Sequence, residues 1–349
     1  MSANYTFQGN AYRKIGPMQE WTNQRHESAL EPALAIIDPH HHVWDDSRGR
    51  YLMHELAADT NSGHNIVATV YIEAGSMYRA DTSEAMSPVG EIEFANGIAA
   101  MSASGAFGNT RHCAGIIGHA DLMLGHQVKP VLEAMIAAGN GRFRGIRHSV
   151  VWDTGNAARF GRRQSPRHQL LDPTYRQGFA QLQPLGLSFE AWLFHPQLSE
   201  LANLLEAFPQ TNVILNHVGG LLGIPPHDGN RDEVFAIWKN NLQQLAKFPN
   251  LTVKVGGLGM LYCGWDFHLR DLPPTSLDLA QAWKPYVEAC IEIFGVDRCM
   301  MESNFPVDKQ SCGYEILWNA LKRITTHYSE QEKKSLYHDT AARVYRINI

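Results

Sequence analysis

The most regular feature of the chain is a series of short, uninterrupted apolar runs, each followed by a polar or glycine-rich segment. The first, Ala33 to Asp38, begins directly after Pro32. Others cover Ile66 to Ile72, His112 to Gly118, Phe143 to Arg147, Leu187 to Phe194, Asn212 to Asn216, Leu251 to Val255 and Arg298 to Ser303, eight in all. A strand covered on both faces has this pattern, because neither face meets water and polar alternation disappears. Helical spacing lies between several runs. Asp172-Pro173 supplies an N-cap and first-turn proline, Tyr175, Phe179 and Leu182 share a face, and Gly186 ends the segment. Leu201, Leu204, Leu205 and Phe208 repeat at i, i+3, i+4, i+7, as do Val287, Cys290, Ile291 and Phe294 before Gly295. The long interval Ala74 to Arg111 holds a helix around Gly90–Ala100 and an extended loop. Strands alternating with helices predict a parallel sheet, and eight such units predict an α/β (β/α)₈ TIM barrel. The expected organisation is one barrel domain over residues 33–349, with an N-terminal extension, residues 1–32, packed on it. No Gly-x-Gly-x-x-Gly follows a strand, which argues against a doubly wound dinucleotide fold.

Composition narrows the function classes. The chain has 349 residues, 44% apolar and 19% charged, enough for a large buried core. A net charge of −5 without a basic run argues against nucleic acid as a partner. No apolar stretch approaches the roughly 20 residues of a membrane span, and the polar N-terminus lacks an export pattern, so a cytoplasmic protein is expected. The five cysteines are scattered without a Cys-x-x-Cys, which suits reduced thiols. The expected partner is a small-molecule substrate, and the sequence is compatible with a homo-oligomer. Seventeen histidines is a high number, so their positions carry the next step.

Barrel enzymes place their chemistry at the C-terminal ends of the strands. Those ends carry His40 and His42, Glu73, His119 with Asp121 nearby, Arg147 and His148, His195, His217, and the segment Glu302 to Asp308. Residues i and i+2 of a strand face the same side, so His40 and His42 can both point into the mouth while His41 faces away. Two imidazoles on one face suit a divalent metal such as zinc. His195, just before Pro196, can serve as a third ligand. His217, before Gly219-Gly220, can serve as a ligand, or as an acid/base or electrophilic group, and the second role is preferred. Arg147 and His148 can bind a substrate carboxylate, with Glu73 and His119 beside them. Trp44, Trp152 and Trp192 are expected to pack, and Lys254, in the middle of its strand, to pair with a carboxylate inside the barrel.

The set Asp38-Pro-His-His-His-Val-Trp-Asp45, Arg144-Gly-Ile-Arg147, His195-Pro-Gln-Leu198, Val213-Ile-Leu-Asn-His217, Glu302-Ser-Asn-Phe-Pro306 and Asp339-Thr-Ala-Ala-Arg-Val-Tyr-Arg346 resembles the amidohydrolase-2 family. More narrowly it is similar to the branch of barrel hydrolases that includes sugar lactonases and pyrone-dicarboxylate lactonase. The resemblance implies a (β/α)₈ barrel from about residue 34 to the C-terminus. It also implies one metal ion, held by His40, His42, His195 and a strand-eight carboxylate. Some lactonase members dispense with the metal and use an aspartate base with arginines on the substrate. This chain departs from the pattern where the family has Gly-Ser-Asp-Trp-Pro. It has Glu302-Ser-Asn304-Phe-Pro306, and an amide cannot act as a general base. Asp308 is the preferred replacement and Glu302 the other candidate. The expected activity is hydrolysis of a lactone by water activated at a metal/histidine site, with His217, Asp308 and Asn304 catalytic. The alternatives are a metal-dependent decarboxylase of an aromatic or enoic acid and, because of Asn304, a catalytically silent binding barrel.

Overall fold

A computed structural model of the chain describes residues 13–155, 157, 165–229 and 231–348. Eight strands form one parallel sheet in chain order: β1 (Ala35–His41), β2 (Asn65–Ile72), β3 (Arg111–Gly118), β4 (Phe143–Arg147), β5 (Ser188–Ala191), β6 (Val213–Leu215), β7 (Leu251–Val255) and β8 (Cys299–Met301). Each predicted apolar run overlaps one of them, and β1 continues three residues past its run to His41. The sheet closes just past the end of β8. There the Asn304 amide donates to the His40 carbonyl (3.0 Å) and the His42 amide to the Phe305 carbonyl (2.8 Å), around a parallel bridge from His41 to Phe305. The fold is a (β/α)₈ barrel. A small antiparallel hairpin, Trp44–Asp46 with Gly49–Tyr51, follows β1.

Helices predicted from spacing form as expected where their end signals are strongest. Asp172 caps Pro173–Phe179 by accepting from the Thr174 and Tyr175 amides (2.7 and 3.1 Å). Thr275 caps the long helix Ser276–Phe294. Among the described residues no helix is long and apolar enough to cross a membrane. In the extension, Ile15–Thr22 forms a helix. The Trp21 indole donates to the Arg270 carbonyl (3.1 Å), and Glu27 accepts from the Ser276 amide (2.8 Å). Residues 13–32 therefore lie against the outer helices, away from the interior.

The barrel interior is layered. Its lower part is apolar: Ile37, Val70, Ile117, Ile214 and Met300 pack against Tyr345 from the C-terminal segment. Above them lies a fully buried ion pair, Lys254 Nζ to Glu190 Oε2 at 2.8 Å. This is the carboxylate partner expected for Lys254. Glu190 is also bonded by the Tyr345 hydroxyl and the Asn216 amide. Isolated, either charge would be very costly to bury; paired and hydrogen-bonded it is tolerated. The imidazoles of the site rest on this charged layer.

Burying so many imidazoles ties stability to pH. Burial holds His64, His112 and His195 at about 4, and the same cause lowers His40, His41, His42, His217 and His268. The folded state thus prefers neutral rings, so their contribution is complete above about pH 6.5 and is lost as pH falls towards 4. Four buried carboxyls raised by burial, Asp38, Glu91, Glu302 and Asp308, act in the opposite sense but are fewer. A shift of that size is on the order of 3 kcal/mol per histidine. Melting temperatures followed from pH 7 to pH 4.5 should fall monotonically, and a flat profile would refute this account.

Candidate active site

The predicted strand alternation brings His40 and His42 together. Their Nε2 atoms lie 3.3 Å apart, while His41 turns outward to the Thr69 hydroxyl (2.8 Å). The His42 Nδ1 faces the Ile72 carbonyl at 2.9 Å. A carbonyl only accepts, so Nδ1 carries the proton and Nε2 presents a lone pair. His40 Nδ1 lies 3.0 Å from Glu302 Oε2 and 3.3 Å from Lys254 Nζ. The other oxygen of Glu302 accepts from the His217 ring (Nδ1, 2.7 Å) and from its backbone amide (3.2 Å). Glu302 thus spans two imidazoles, and the rings of His40 and His217 sit 4.4 Å apart. Burial pushes the Glu302 carboxyl up to about 8, against the pull of Lys254.

His217 owes its aim to an unusual backbone. It and the next three residues all have positive φ: His217 54°, Val218 49°, Gly219 82° and Gly220 66°. A left-handed β-branched residue such as Val218 is strained by about 1–3 kcal/mol, and such strain persists where surrounding contacts over-determine it. Here the Trp238 indole donates to the Val218 carbonyl (2.7 Å), and a side chain on Gly220 would meet the Leu193 carbonyl at 1.9 Å. Gly257 is pinned similarly, since a Cβ there would lie 2.5 Å from the His217 ring.

The other predicted site residues fall into two groups. Arg147 reaches the mouth, with Nη1 3.4 Å from His40 Nε2. Glu73 holds it through Nε (2.7 Å) and through its own carbonyl to Nη2 (2.8 Å). His119 and His148 lie on the outer side of β4, edge to face at 5.2 Å. His148 accepts from the Leu122 amide (3.0 Å), and His119 Nδ1 faces the Arg147 carbonyl (3.1 Å). They support the strand end and do not line the cavity. His195 is not brought to the histidine pair. β5 ends at Ala191, so the chain has left the sheet before His195, which starts the turn His195–Gln197. Its ring accepts from the Leu222 amide (3.2 Å) and meets His227 edge to face, His227 itself being paired with Asp153 (3.0 Å).

The preferred replacement carboxylate, Asp308, lies behind the site. Its two oxygens accept from the Gly259 amide (2.8 Å) and from Asn304 Nδ2 (2.7 Å). That second bond fixes the orientation of the amide, so Asn304 turns its carbonyl oxygen, an acceptor, away from Asp308. The strand-eight carboxylate that converges with histidine is Glu302: His40, His217 and Glu302 each bring one ligand-type atom within 4.8 Å of the others.

On the other side of the His40 ring, its Nε2 and that of His42 fit a divalent metal. Two zinc–nitrogen bonds of about 2.0–2.1 Å at a tetrahedral angle place their nitrogens about 3.3 Å apart, the separation of the His40 and His42 Nε2 atoms. Glu302 Oε2 is buried without a well-aligned hydrogen-bond donor.

The pair opens on a cavity of about 150 Å³. Its polar end is formed by His42, Arg147, His217 and Asn304. Trp192, expected only to pack, forms part of the wall 4.8 Å from the His217 ring.

The amidohydrolase family profile matches residues 37–347. The chain belongs to the amidohydrolase family. This amidohydrolase is 32% identical over 336 residues to the uncharacterized protein y4mH of Sinorhizobium fredii, an alignment covering 90% of this chain and 99% of that one. It is 24% identical over 236 residues to L-fucono-1,5-lactonase of Burkholderia multivorans, covering 67% of this chain and 72% of that one. The fold of a zinc-bound amidohydrolase from Burkholderia multivorans superposes with a TM-score of 0.67 at 22% identity, over 90% of this chain and all of the other.

Proposed function

We propose that this amidohydrolase hydrolyses a small lactone, with one divalent ion, zinc by preference, held at the Nε2 atoms of His40 and His42, the His40 ring being oriented by Glu302 through Nδ1. The observation that carries the reading is the pair of Nε2 atoms 3.3 Å apart at the end of a cavity that also holds His217, Arg147 and Asn304. The zinc in the superposed amidohydrolase and the lactonase activity of the Burkholderia relative support it. When bound, such an ion supplies Lewis-acid polarisation and eases deprotonation of water at neutral pH.

The remaining work falls to the chain's own groups. Burial, with Arg147 nearby, keeps His217 uncharged, and Glu302 holds its Nδ1 proton. Its Nε2 lone pair can therefore take a proton from water and return it to the ring oxygen as the ester bond breaks. Asn304 orients the water by accepting its second proton in a hydrogen bond. Arg147, steadied by Glu73, meets the carbonyl and then the carboxylate of the opened product. Asn304 is no bar to activity on this reading, since Glu302 and His217 supply the proton handling.

Purified protein should contain about one divalent ion per chain, and chelation should abolish turnover that added zinc restores. Hydrolysis releases one acid equivalent per turnover without gas, whereas decarboxylation releases CO₂. Full activity in metal-free protein would overturn the metal assignment, and CO₂ release would overturn the hydrolase.

A further inference from the structure

The cavity itself carries information about what it accepts. Beyond the polar end, its wall is aromatic and aliphatic. Trp192, Phe194 and Tyr262 form a mutually packed trio, with centroids 5.7 Å (Trp192–Phe194), 5.4 Å (Phe194–Tyr262) and 6.2 Å (Trp192–Tyr262) apart. Val151, Met260, Leu261 and Val307 complete it. The Tyr262 hydroxyl donates to the Met260 sulfur. Most of these side chains belong to a small hydrophobic cluster of their own, separate from the main core, in which Phe194 and Val151 are 1% exposed and Met260 5%. Among the described lining residues the one cation, Arg147, already has Nε and Nη2 bound by Glu73, and there is no carboxylate or aliphatic hydroxyl.

We infer that the substrate of this site is an uncharged lactone with an apolar ring body, such as a δ-lactone fused to an aromatic ring, rather than a polyhydroxylated sugar lactone or a dicarboxylate. The inference rests on the lactone reading above and narrows it. Three physical points support it. Aromatic walls offer stacking and edge-to-face contacts to a flat ring. A sugar lactone would bury several hydroxyls against groups that cannot pair with them, and each unpaired hydroxyl lowers binding about tenfold or more. A dicarboxylate needs two free cationic partners, whereas among the described residues the wall offers the remaining edge of one guanidinium. The ester end of an apolar lactone meets His42, His217, Arg147 and Asn304, and the rest of it meets carbon.

The test uses the full-length, metal-loaded protein with three lactones: dihydrocoumarin, a hexono-1,5-lactone and 2-pyrone-4,6-dicarboxylate. In parallel, calorimetric titration measures binding of 3,4-dihydro-2-quinolinone, the lactam analogue of dihydrocoumarin. The expected result is a kcat/KM for dihydrocoumarin at least 100-fold above either polar lactone, with binding of the lactam. Met260→Gln, which adds an amide to the wall, should lower dihydrocoumarin turnover about tenfold and leave the metal content unchanged. Preferential turnover of the hexonolactone or the dicarboxylate would overturn the inference while leaving the hydrolase reading intact. Lactam binding without hydrolysis of any lactone would do the reverse. Loss of neither turnover nor lactam affinity in Met260→Gln would show that the wall does not contact the substrate, and would also overturn it.

Discussion

Glu302→Gln should lower kcat/KM by about 100-fold or more while leaving the melting temperature within a few degrees of the parent. Glutamine has nearly the same shape, so the barrel seam is undisturbed. What it cannot do is accept at both ends. In the parent, Oε1 receives the His217 ring and backbone at 2.7 and 3.2 Å, and Oε2 faces His40 at 3.0 Å. Replacing one oxygen by NH₂ turns an acceptor into a donor beside one of these rings, which forces a flipped tautomer or a rotated imidazole. Carboxylates that orient functional histidines are typically worth 10- to 100-fold each in metal affinity or activity, and here one carboxylate serves two rings. Steady-state kinetics on the preferred lactone, together with metal analysis, separates the outcomes. A variant retaining activity within threefold would mean that Glu302 does not organise the site.

The second large effect concerns stability. Lys254→Met should cost about 3–5 kcal/mol, the usual consequence of leaving a buried charge without its partner, and for a chain of this size that corresponds to a fall of about 4–7 °C in Tm. Lys254 is fully buried, 2.8 Å from Glu190, and its removal strands that carboxylate between Asn216 and Tyr345. Methionine fills most of the volume, so the loss is electrostatic rather than a cavity effect. The double variant Glu190→Gln, Lys254→Met removes both charges and should regain most of the lost stability. It should not regain activity, because His40 and Glu302 lose the cation 3.3 Å from the His40 ring. If the double variant melts no higher than the single one, the pair is not the source of the loss.

Much of this arrangement was legible in the sequence. Runs covered on both faces have a pattern that survives without knowledge of neighbours, and each of the eight predicted runs overlaps a barrel strand. The i, i+2 rule likewise placed His40 and His42 on one face, since it depends only on strand geometry. The errors came where geometry depends on where a strand stops. The run from Leu187 to Phe194 stays apolar from Ala191 to its end, yet the sheet ends at Ala191, and three further residues carry His195 around a corner to Leu222. The run could not show this, because Trp192 and Phe194 are apolar for a different reason: they wall the cavity. At the other end of the barrel, the sequence offered Asp308 ahead of Glu302 as the replacement carboxylate, and Glu302 is the one that lies against the histidines. Asp308 seemed free to reach the site, but the left-handed turn at Asn304 (φ 55°) puts it behind the amide it holds. The Glu190–Lys254 layer left a trace, a charge in the middle of each of two apolar strands, but which charge meets which is set only by the closed barrel.

The seam that closes the barrel is also the place where the chemistry sits. His40 and His42 lie at the end of the first strand, Glu302 and Asn304 follow the last, and the two ends are stitched by the bonds from Asn304 to His40 and from His42 to Phe305. During synthesis about 260 residues separate the emergence of the first pair from that of the second. A nascent or truncated chain can therefore present two histidines but not the carboxylate that orients them. On the proposed mechanism, catalytic competence arrives only with the last strand, so completion of the chain itself acts as the on-switch.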